Sequence, residues 1–434
     1  MKLQIEKQVY GGAGLAHESA GKAVFVPFTL NDETVEVQLT GTTDDYAEAT
    51  LLNVISPSAE RVAPGCTHFG TCGGCHYQHA AYPAQIEIKR QVLQETLQRA
   101  GLVELPEIEA HTGEPWNYRN RIRLRIAEVV GELRVGYSRP KSAEFLPVQE
   151  CPIAAPILWR AAESLLAVAA KNAPASAWLR TALEVEFFTT ADESRVMMTL
   201  SVRKEKAGGF KEFCEALRKE LPELAGAGVA ILAGDGRQSS RRNERPKPGA
   251  AWGVEGLAYE AAGRRYWVSR GGFFQVNRTL IAELVRIVAS GRKGVLAWDL
   301  YAGVGLFSRA LTESFTQVIA VEGGETAARD LAAGLKGHRA ICASTLEFLR
   351  HTVIQRERPE LIVMDPPRAG VGAEVVALLA RIKAQEMVYV SCDPVTLSRD
   401  LRRMVDSGYS ISEVHLIDLF PQTFHLETVV VLRR

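Results

Sequence analysis

The stretch VLAWDLYAGVGLFSRAL, residues 295–311, decides the reading of this chain. An apolar run ends in Asp299-Leu300, a turn with Gly303 and Gly305 follows, and a helical pattern begins at once. Two glycines after a strand let the backbone turn tightly and approach a ligand at the start of the next helix. Further apolar runs follow at QVIAVE (317–322), AICA (340–343), LIVMD (361–365) and MVYVS (387–391), with helix-length spacers between them. Such runs mark a parallel sheet buried on both faces. Residues 269–434 therefore predict a doubly wound, Rossmann-like α/β domain. ISEVHLIDLF (411–420) and ETVVVLRR (427–434) follow too closely for a helix to intervene, and predict an antiparallel edge pair.

Several polar residues fall at the C-terminal ends of these strands, where open α/β sheets bind ligands. Glu322 ends the second run, placed to accept hydrogen bonds from ribose hydroxyls. Ser308 stands where G-x-G-x-x-G needs its third glycine. That weakens a dinucleotide, and with it an NAD-dependent oxidoreductase, and favours a mononucleoside-like cofactor without a pyrophosphate, such as S-adenosylmethionine. A bare GxG is also an ordinary strand-to-helix turn; the full order strand, GxG, strand, Glu is what points to a cofactor. Asp365 precedes Pro366 and Pro367, which fix φ and stiffen the loop. Cys392, in Ser391-Cys392-Asp393-Pro394, puts a candidate nucleophile on the same edge, although a lone cysteine is more often a small buried hydrophobe. Glu427 and His425 are a candidate base and its neighbour.

Upstream, residues 1–56 alternate short apolar runs with turn residues and predict five strands in a small β-barrel of OB or SH3 type. Residues 57–268 read as a mixed α+β central domain. Its first helix falls near 83–100, with Ile86, Leu93, Leu97 and Ala100 along one side and Lys89, Arg90 and Arg99 elsewhere. SSRRNERPKPG (239–249) is a polar loop. The 434 residues carry 51 Lys plus Arg against 51 Asp plus Glu, which excludes a uniformly basic coat protein but not a local basic groove. The chain offers no run of roughly 18 apolar residues and its start lacks a secretory pattern, so a cytoplasmic protein is expected. Seven cysteines are too few for a disulfide scaffold. Cys66, Cys72 and Cys75 crowd together, and with Cys151 they could supply four thiolates for zinc or for an iron–sulfur cluster; spacing alone does not choose. His68, His76 and His79 lie close enough in sequence to contribute to a zinc site.

FFQVN (273–277), DLYAGVGLFS (299–308), MDPPRAGV (364–371), SCDPVTLSRDL (391–401) and FPQTFHLETVVVL (420–432) together resemble the class I RNA (uracil-5-)-methyltransferases. CTHFGTCGGCHYQHAAYPAQ (66–85) resembles the iron–sulfur segment of that family's 23S rRNA branch, and VYGGAGLAH (9–17) resembles a TRAM domain. The resemblance implies Cys392 as the nucleophile that adds to C6 of uracil and Glu427 as the base that removes the C5 proton. It implies cofactor contacts from Gln275, Tyr301, Gly303, Gly305, Glu322 and Asp365. It also implies a [4Fe–4S] cluster on Cys66, Cys72, Cys75 and Cys151. The expected product is 5-methyluridine in 23S rRNA, with the T-loop of tRNA as the alternative target. A non-catalytic RNA-binding or iron–sulfur sensor protein is disfavoured because Cys392 and Glu427 are both present. A monomer is expected.

Charge is uneven along the chain. Residues 1–60 hold three Lys against nine acids, about −6, whereas 115–143 hold seven basic residues against two acids, about +5. In NYRNRIRLRI, Arg119, Arg121, Arg123 and Arg125 alternate and so share one face of a strand, with Tyr118 as a possible stacking ring. The stretch 235–278 is again about +5 (nine basic residues, four acids) and includes Arg241, Arg242, Arg245, Lys247, Arg264 and Arg265, beside Phe273 and Phe274. These two stretches are the expected RNA surface. Asp393 and Gln422 depart from the Asn and His common in the family, and the acidity of residues 1–60 argues against RNA binding there.

Overall fold

The structure is a computed structural model that describes every residue except 207, 233–245 and 356. Arg241, Arg242 and Arg245 lie outside the described residues. The chain forms two compact units: one holds Met1–Pro115, Pro366–Arg381 and Glu386–Arg434, the other Trp116–Asp365 and Ile382–Gln385.

The first unit begins with a curled sheet of six strands, one more than expected, in the order Lys2–Gln4, Thr34–Thr42, Tyr46–Ser56, Ala23–Pro27, Ala13–His17, Lys7–Gln8. The order is linear, so among the described residues this is an open half-barrel and not the closed barrel expected. Alternation builds its core: Val24 and Val26, Val35 and Val37, and Ala47 and Ala49 point inward with Ile5. Gly14 is required there, because a Cβ would meet the Thr29 hydroxyl at 2.3 Å.

The same unit carries a second sheet. Strand Glu427–Arg433 pairs antiparallel with Glu386–Ser391 on one side and with Ser410–Ile417 on the other. The expected antiparallel pair is therefore present, but it is not the edge: Ile108–His111 adds outside it, parallel to Ser410–Ile417. Helix Tyr82–Arg99 starts with a proline in its first turn, where the missing N–H costs nothing, and packs against helix Pro394–Asp406. Its buried residues are Gln85, Ile88, Lys89, Val92, Leu93 and Leu97. Lys89, expected on the polar side, is 1 % exposed and makes a 2.5 Å ion pair with Asp418.

The second unit holds a seven-stranded sheet in the order Phe145–Pro147, Glu132–Ser138, Arg121–Val129, Ala182–Thr189, Val196–Val202, Leu224–Ile231, Lys247–Gly253. Helices Pro156–Lys171, Ala173–Leu179 and Phe210–Glu220 contribute to its core, with Trp178, Phe187 and Phe213 fully buried. A hairpin of Gly256–Ala261 and Arg264–Ser269 leads to the parallel strands. Gly294–Leu300 lies between Phe315–Glu322 and Leu361–Met364, and Arg339–Cys342 lies beyond Phe315–Glu322. Chain order thus reverses beside Gly294–Leu300, the switch point at which doubly wound sheets open a crevice. Among the described residues no helix is long and apolar enough to cross a membrane.

Candidate active site

At that switch point the backbone bends through left-handed residues. Tyr301 has φ 62°, Gly303 56° and Gly305 91°. Gly305 precedes helix Leu306–Leu311, and a Cβ on it would meet Leu331 at 2.7 Å, so neither the dihedral nor the space admits a side chain. Glu322 sits at the neighbouring strand end. Its Oε2 accepts from the Gly303 N–H at 2.9 Å and its Oε1 from the Gly324 N–H, which fixes the carboxylate beside the turn. Asp299 is fully buried, and the Ser308 hydroxyl hydrogen-bonds its Oδ2. Burial pushes the Asp299 carboxyl up to about 7. Asp365 is also raised, by burial first and then by the charge of Asp299. The Gln275 amide donates to Asp365 at 3.3 Å, so the structure brings these two expected cofactor residues together. The Gln275 carbonyl accepts from Asn120, a buried residue that also reaches the Tyr259 hydroxyl. Sequence reasoning missed Asn120, because its partners lie 139 and 155 residues away.

The turn that carries Cys392 is built differently. Strands Glu386–Ser391 and Glu427–Arg433 pair in a register that matches Ser391 with Thr428. The ladder ends on that pair, so Cys392, which follows Ser391, and Glu427, which precedes Thr428, each adjoin it in the chain. Glu427 is 2 % exposed; Cys392 is half-buried. Asp393 caps helix Pro394–Asp406: its Oδ1 accepts from the N–H groups of Val395 and Thr396 at 3.1 and 2.9 Å. Its Oδ2 accepts from the Tyr10 hydroxyl of the half-barrel at 3.1 Å. Burial and the Asp393 charge raise the Tyr10 phenol, so it stays a donor at every ordinary pH. Arg368 donates to His425 Nδ1 at 3.2 Å, which sets the neutral His425 tautomer with its proton on Nε2.

The loop before Glu427 is clamped from the N-terminal side. Gln422, left-handed at φ 68°, exchanges two 3.0 Å hydrogen bonds with Gln85. Its carbonyl accepts from the N–H groups of His76 and Tyr77 at 2.8 and 3.0 Å. The Lys89 ammonium holds Asp418 and donates to the Phe420 carbonyl at 3.0 Å. The chain next to Cys75 therefore holds the loop that leads to Glu427.

Cys66, Cys72 and Cys75 are half-buried, free of disulfides, and carried on tight turns; the Cys72 N–H donates to the His68 carbonyl at 2.8 Å. Cys151 lies in the second unit, 3.4 Å from the Tyr137 hydroxyl. Burial raises its thiol; Tyr137 and Arg119 oppose that shift, as groups able to stabilise a thiolate do. His76 packs on Phe424 at 4.6 Å, and His79 turns Nε2 toward the Thr29 carbonyl at 3.3 Å. Thiols are soft donors of the kind a soft metal centre takes, and these two imidazoles have other partners. An open cleft of about 720 Å³ borders Cys151, but Glu150, Glu163, Glu193 and Glu223 line it, which suits no phosphate chain.

The expected RNA surface is smaller than its charge count. Tyr118 and Phe274 are buried, which removes both as stacking rings; Phe273 is 65 % exposed. Arg121 and Arg123 share one face as expected, yet both bind Glu186, at 2.9 and 2.8 Å. Arg121 also packs over Phe188, 4.4 Å from the ring centroid. The Arg123 side chain is 64 % exposed against 14 % for Arg121, so Arg123 is the better placed to meet a phosphate.

This class I methyltransferase-like fold has clear counterparts. The tRNA (uracil-5-)-methyltransferase family matches residues 81–434 and the TRAM domain matches residues 1–52. A protein of Aquifex aeolicus described only as an RNA methyltransferase is 32 % identical, over 100 % of this chain and 98 % of its own. A 23S rRNA (uracil(1939)-C(5))-methyltransferase of Chromohalobacter salexigens is also 32 % identical, over 100 % of this chain and 89 % of its own. The structure of a Pyrococcus abyssi tRNA (uracil-54, C5)-methyltransferase in complex with S-adenosyl-L-homocysteine shares the fold, with a TM-score of 0.77 and 22 % identity over the whole of both chains. The chain belongs to the RNA (uracil-5-)-methyltransferase family and carries a TRAM domain. It is an S-adenosylmethionine-dependent enzyme that methylates C5 of uracil in RNA.

Proposed function

We propose that this enzyme makes 5-methyluridine in 23S rRNA, with Cys392 as nucleophile, Glu427 as base and a [4Fe–4S] cluster on Cys66, Cys72, Cys75 and Cys151. The observation that supports the catalytic assignment is the Ser391–Thr428 pair that ends the ladder, with Cys392 and Glu427 as its chain neighbours. C5 of uracil is too electron-poor to attack a methyl group directly. The Cys392 thiolate adds to C6, and the ring electrons move onto C5 and O4. S-adenosylmethionine, when bound, supplies an electrophilic methyl group to the C5 that Cys392 has activated. Glu427 then takes the C5 proton, the C6–S bond breaks, and the ring regains its double bond as the thiolate leaves. The positive end of helix Pro394–Asp406 favours the thiolate, while the carboxylate of Asp393 is offset by two N–H groups and Tyr10.

Gln275, Tyr301, Gly303, Gly305, Glu322 and Asp365 hold the cofactor in this reading. Glu322 supports it best: each carboxylate oxygen already accepts one backbone N–H and keeps a lone pair for a ribose hydroxyl. For the cluster, the support is four cysteines outside any disulfide and the clamp from His76 and Tyr77 onto the Glu427 loop; its task is structural, because methyl transfer moves no electron. For the target, the support is the whole-length 32 % identity to a 23S rRNA enzyme. The test is mass-spectrometric mapping of 5-methyluridine in 23S rRNA and tRNA from cells with and without the gene. Loss from one 23S position is expected; loss from tRNA alone would overturn the target. Protein purified without oxygen is expected to contain four iron and four sulfide, the composition of [4Fe–4S]; their absence would overturn the cluster.

A further inference from the structure

A second cluster of ligating side chains lies in the first unit, on strands that carry neither the nucleophile nor the expected cluster cysteines. Strands Ile108–His111 and Ser410–Ile417 run parallel, with Glu109 beside His415 and His111 beside Ile417. Glu109 and His111, two apart on a strand, share a face. His111 Nε2 is 3.1 Å from His415 Nδ1. Glu109 reaches both rings, with Oε2 3.3 Å from His415 Nδ1 and Oε1 3.7 Å from His111 Nε2. One ligand atom from each residue fits within a 4.8 Å triangle. Two donors bound to one tetrahedral zinc at 2.0–2.1 Å lie about 3.3 Å apart, so the spacing is that of a shared ion.

The surroundings sort the ring nitrogens. His415 Nε2 faces Glu413 at 3.4 Å, and Glu413 is in turn held by Arg433 at 2.9 Å. A carboxylate on the far nitrogen is the usual support of a metal-binding histidine, because it fixes the tautomer and frees the other nitrogen. With Nε2 protonated toward Glu413, His415 Nδ1 carries a lone pair that faces the acceptor oxygen of Glu109. In that tautomer two acceptors lie 3.3 Å apart, and a cation between them relieves the repulsion. The imidazole side chains are 8 % and 11 % exposed and that of Glu109 is 64 % exposed, so an ion can enter from the carboxylate side.

We infer that Glu109, His111 and His415 bind one divalent transition-metal ion, zinc or a neighbour such as nickel or cobalt, with water completing the shell. The ion fastens the edge strand Ile108–His111 to Ser410–Ile417. The backbone there continues into the catalytic clamp, because the His111 carbonyl accepts from the N–H of Asp418, the partner of Lys89.

The test uses full-length protein purified without oxygen, with zinc alone as the probe. Bound zinc is expected to be higher by one per chain in the wild type than in a His111→Ala/His415→Ala variant. Zinc is expected to raise Tm in the wild type and not in that variant. Glu109→Gln, on the surface, is expected to weaken zinc binding at least about tenfold without harming the fold. A Cys66→Ser variant keeps this zinc, which separates it from metal on the cysteines. Should the double variant fail to fold, an anomalous difference map at the zinc edge on wild-type crystals decides, with a peak expected between His111 and His415. Equal zinc in wild type and Glu109→Gln, or no peak between the rings, would overturn the inference and leave a proton shared by His111 and His415.

Discussion

The turn at Gly303–Gly305 and the turn at Cys392 both join a strand to a helix, yet they are built over very different lengths of chain. Around Gly303 and Gly305, Asp299 meets Ser308 nine residues on, and Glu322 meets Gly303 nineteen residues back. Around Cys392 and Glu427 the partners come from far away: Tyr10 to Asp393 spans 383 residues, Gln85 to Gln422 spans 337, and Lys89 to Asp418 spans 329. The first turn is shaped by its own left-handed residues. The second is an ordinary capped helix start whose geometry is imposed by the half-barrel, the helix Tyr82–Arg99 and the cysteine segment. Substituting a local residue should therefore damage cofactor binding alone, and substituting a distant one should damage the catalytic loop alone.

The largest expected effect breaks the distant brace. Lys89→Met leaves Asp418 buried beside an apolar side chain, which costs about 3–5 kcal/mol. Chemical denaturation should show the loss, and the surviving folded enzyme should lose kcat while keeping its affinity for S-adenosylhomocysteine. Next is the pH dependence of Asp299. Its folded carboxyl is raised to about 7, so between pH 4 and 7 the folded state keeps a proton that the unfolded state has lost. Stability from this group therefore falls as pH rises through that window, by a few kcal/mol at most. Asp299→Asn should flatten the slope of urea midpoints against pH. Gly305→Ala is a smaller change. The left-handed backbone costs roughly 1–2 kcal/mol, with the approach to Leu331 in addition. S-adenosylhomocysteine affinity, read by calorimetry, should fall about tenfold, and Tm should drop by a few degrees. Asp393→Ala is the smallest: loss of the cap costs about 1 kcal/mol, and Asp393→Asn should restore it.

The same contrast explains what could be read in the sequence. The parallel strands, the GxG turn and the antiparallel pair of C-terminal strands follow from apolar runs and glycines close together in the chain, and the structure has all three. Lys89 looked like a solvated charge because its partner Asp418 is recognisable only after folding. Tyr118 looked like a stacking ring, and Phe274 like a neighbour of the RNA surface, for the same reason; burial, not residue type, removes them. Arg121 and Arg123 were placed correctly on one face by their alternation, but Glu186 on the neighbouring strand offsets them, and no local pattern announces that pairing. Gln422, set apart as a departure from the family, has its explanation in Gln85, which answers it with a second amide.

The proposed mechanism has Cys392 attack C6 and Glu427 release the product. Mixing Glu427→Gln with RNA substrate and S-adenosylmethionine, then separating the products under denaturing conditions, tests it most directly. A methylated RNA covalently bound to the protein is expected, since the thiol adds but the C5 proton stays, and no adduct from Cys392→Ala. An adduct that persists in Cys392→Ala, or full turnover by Glu427→Gln, would contradict it.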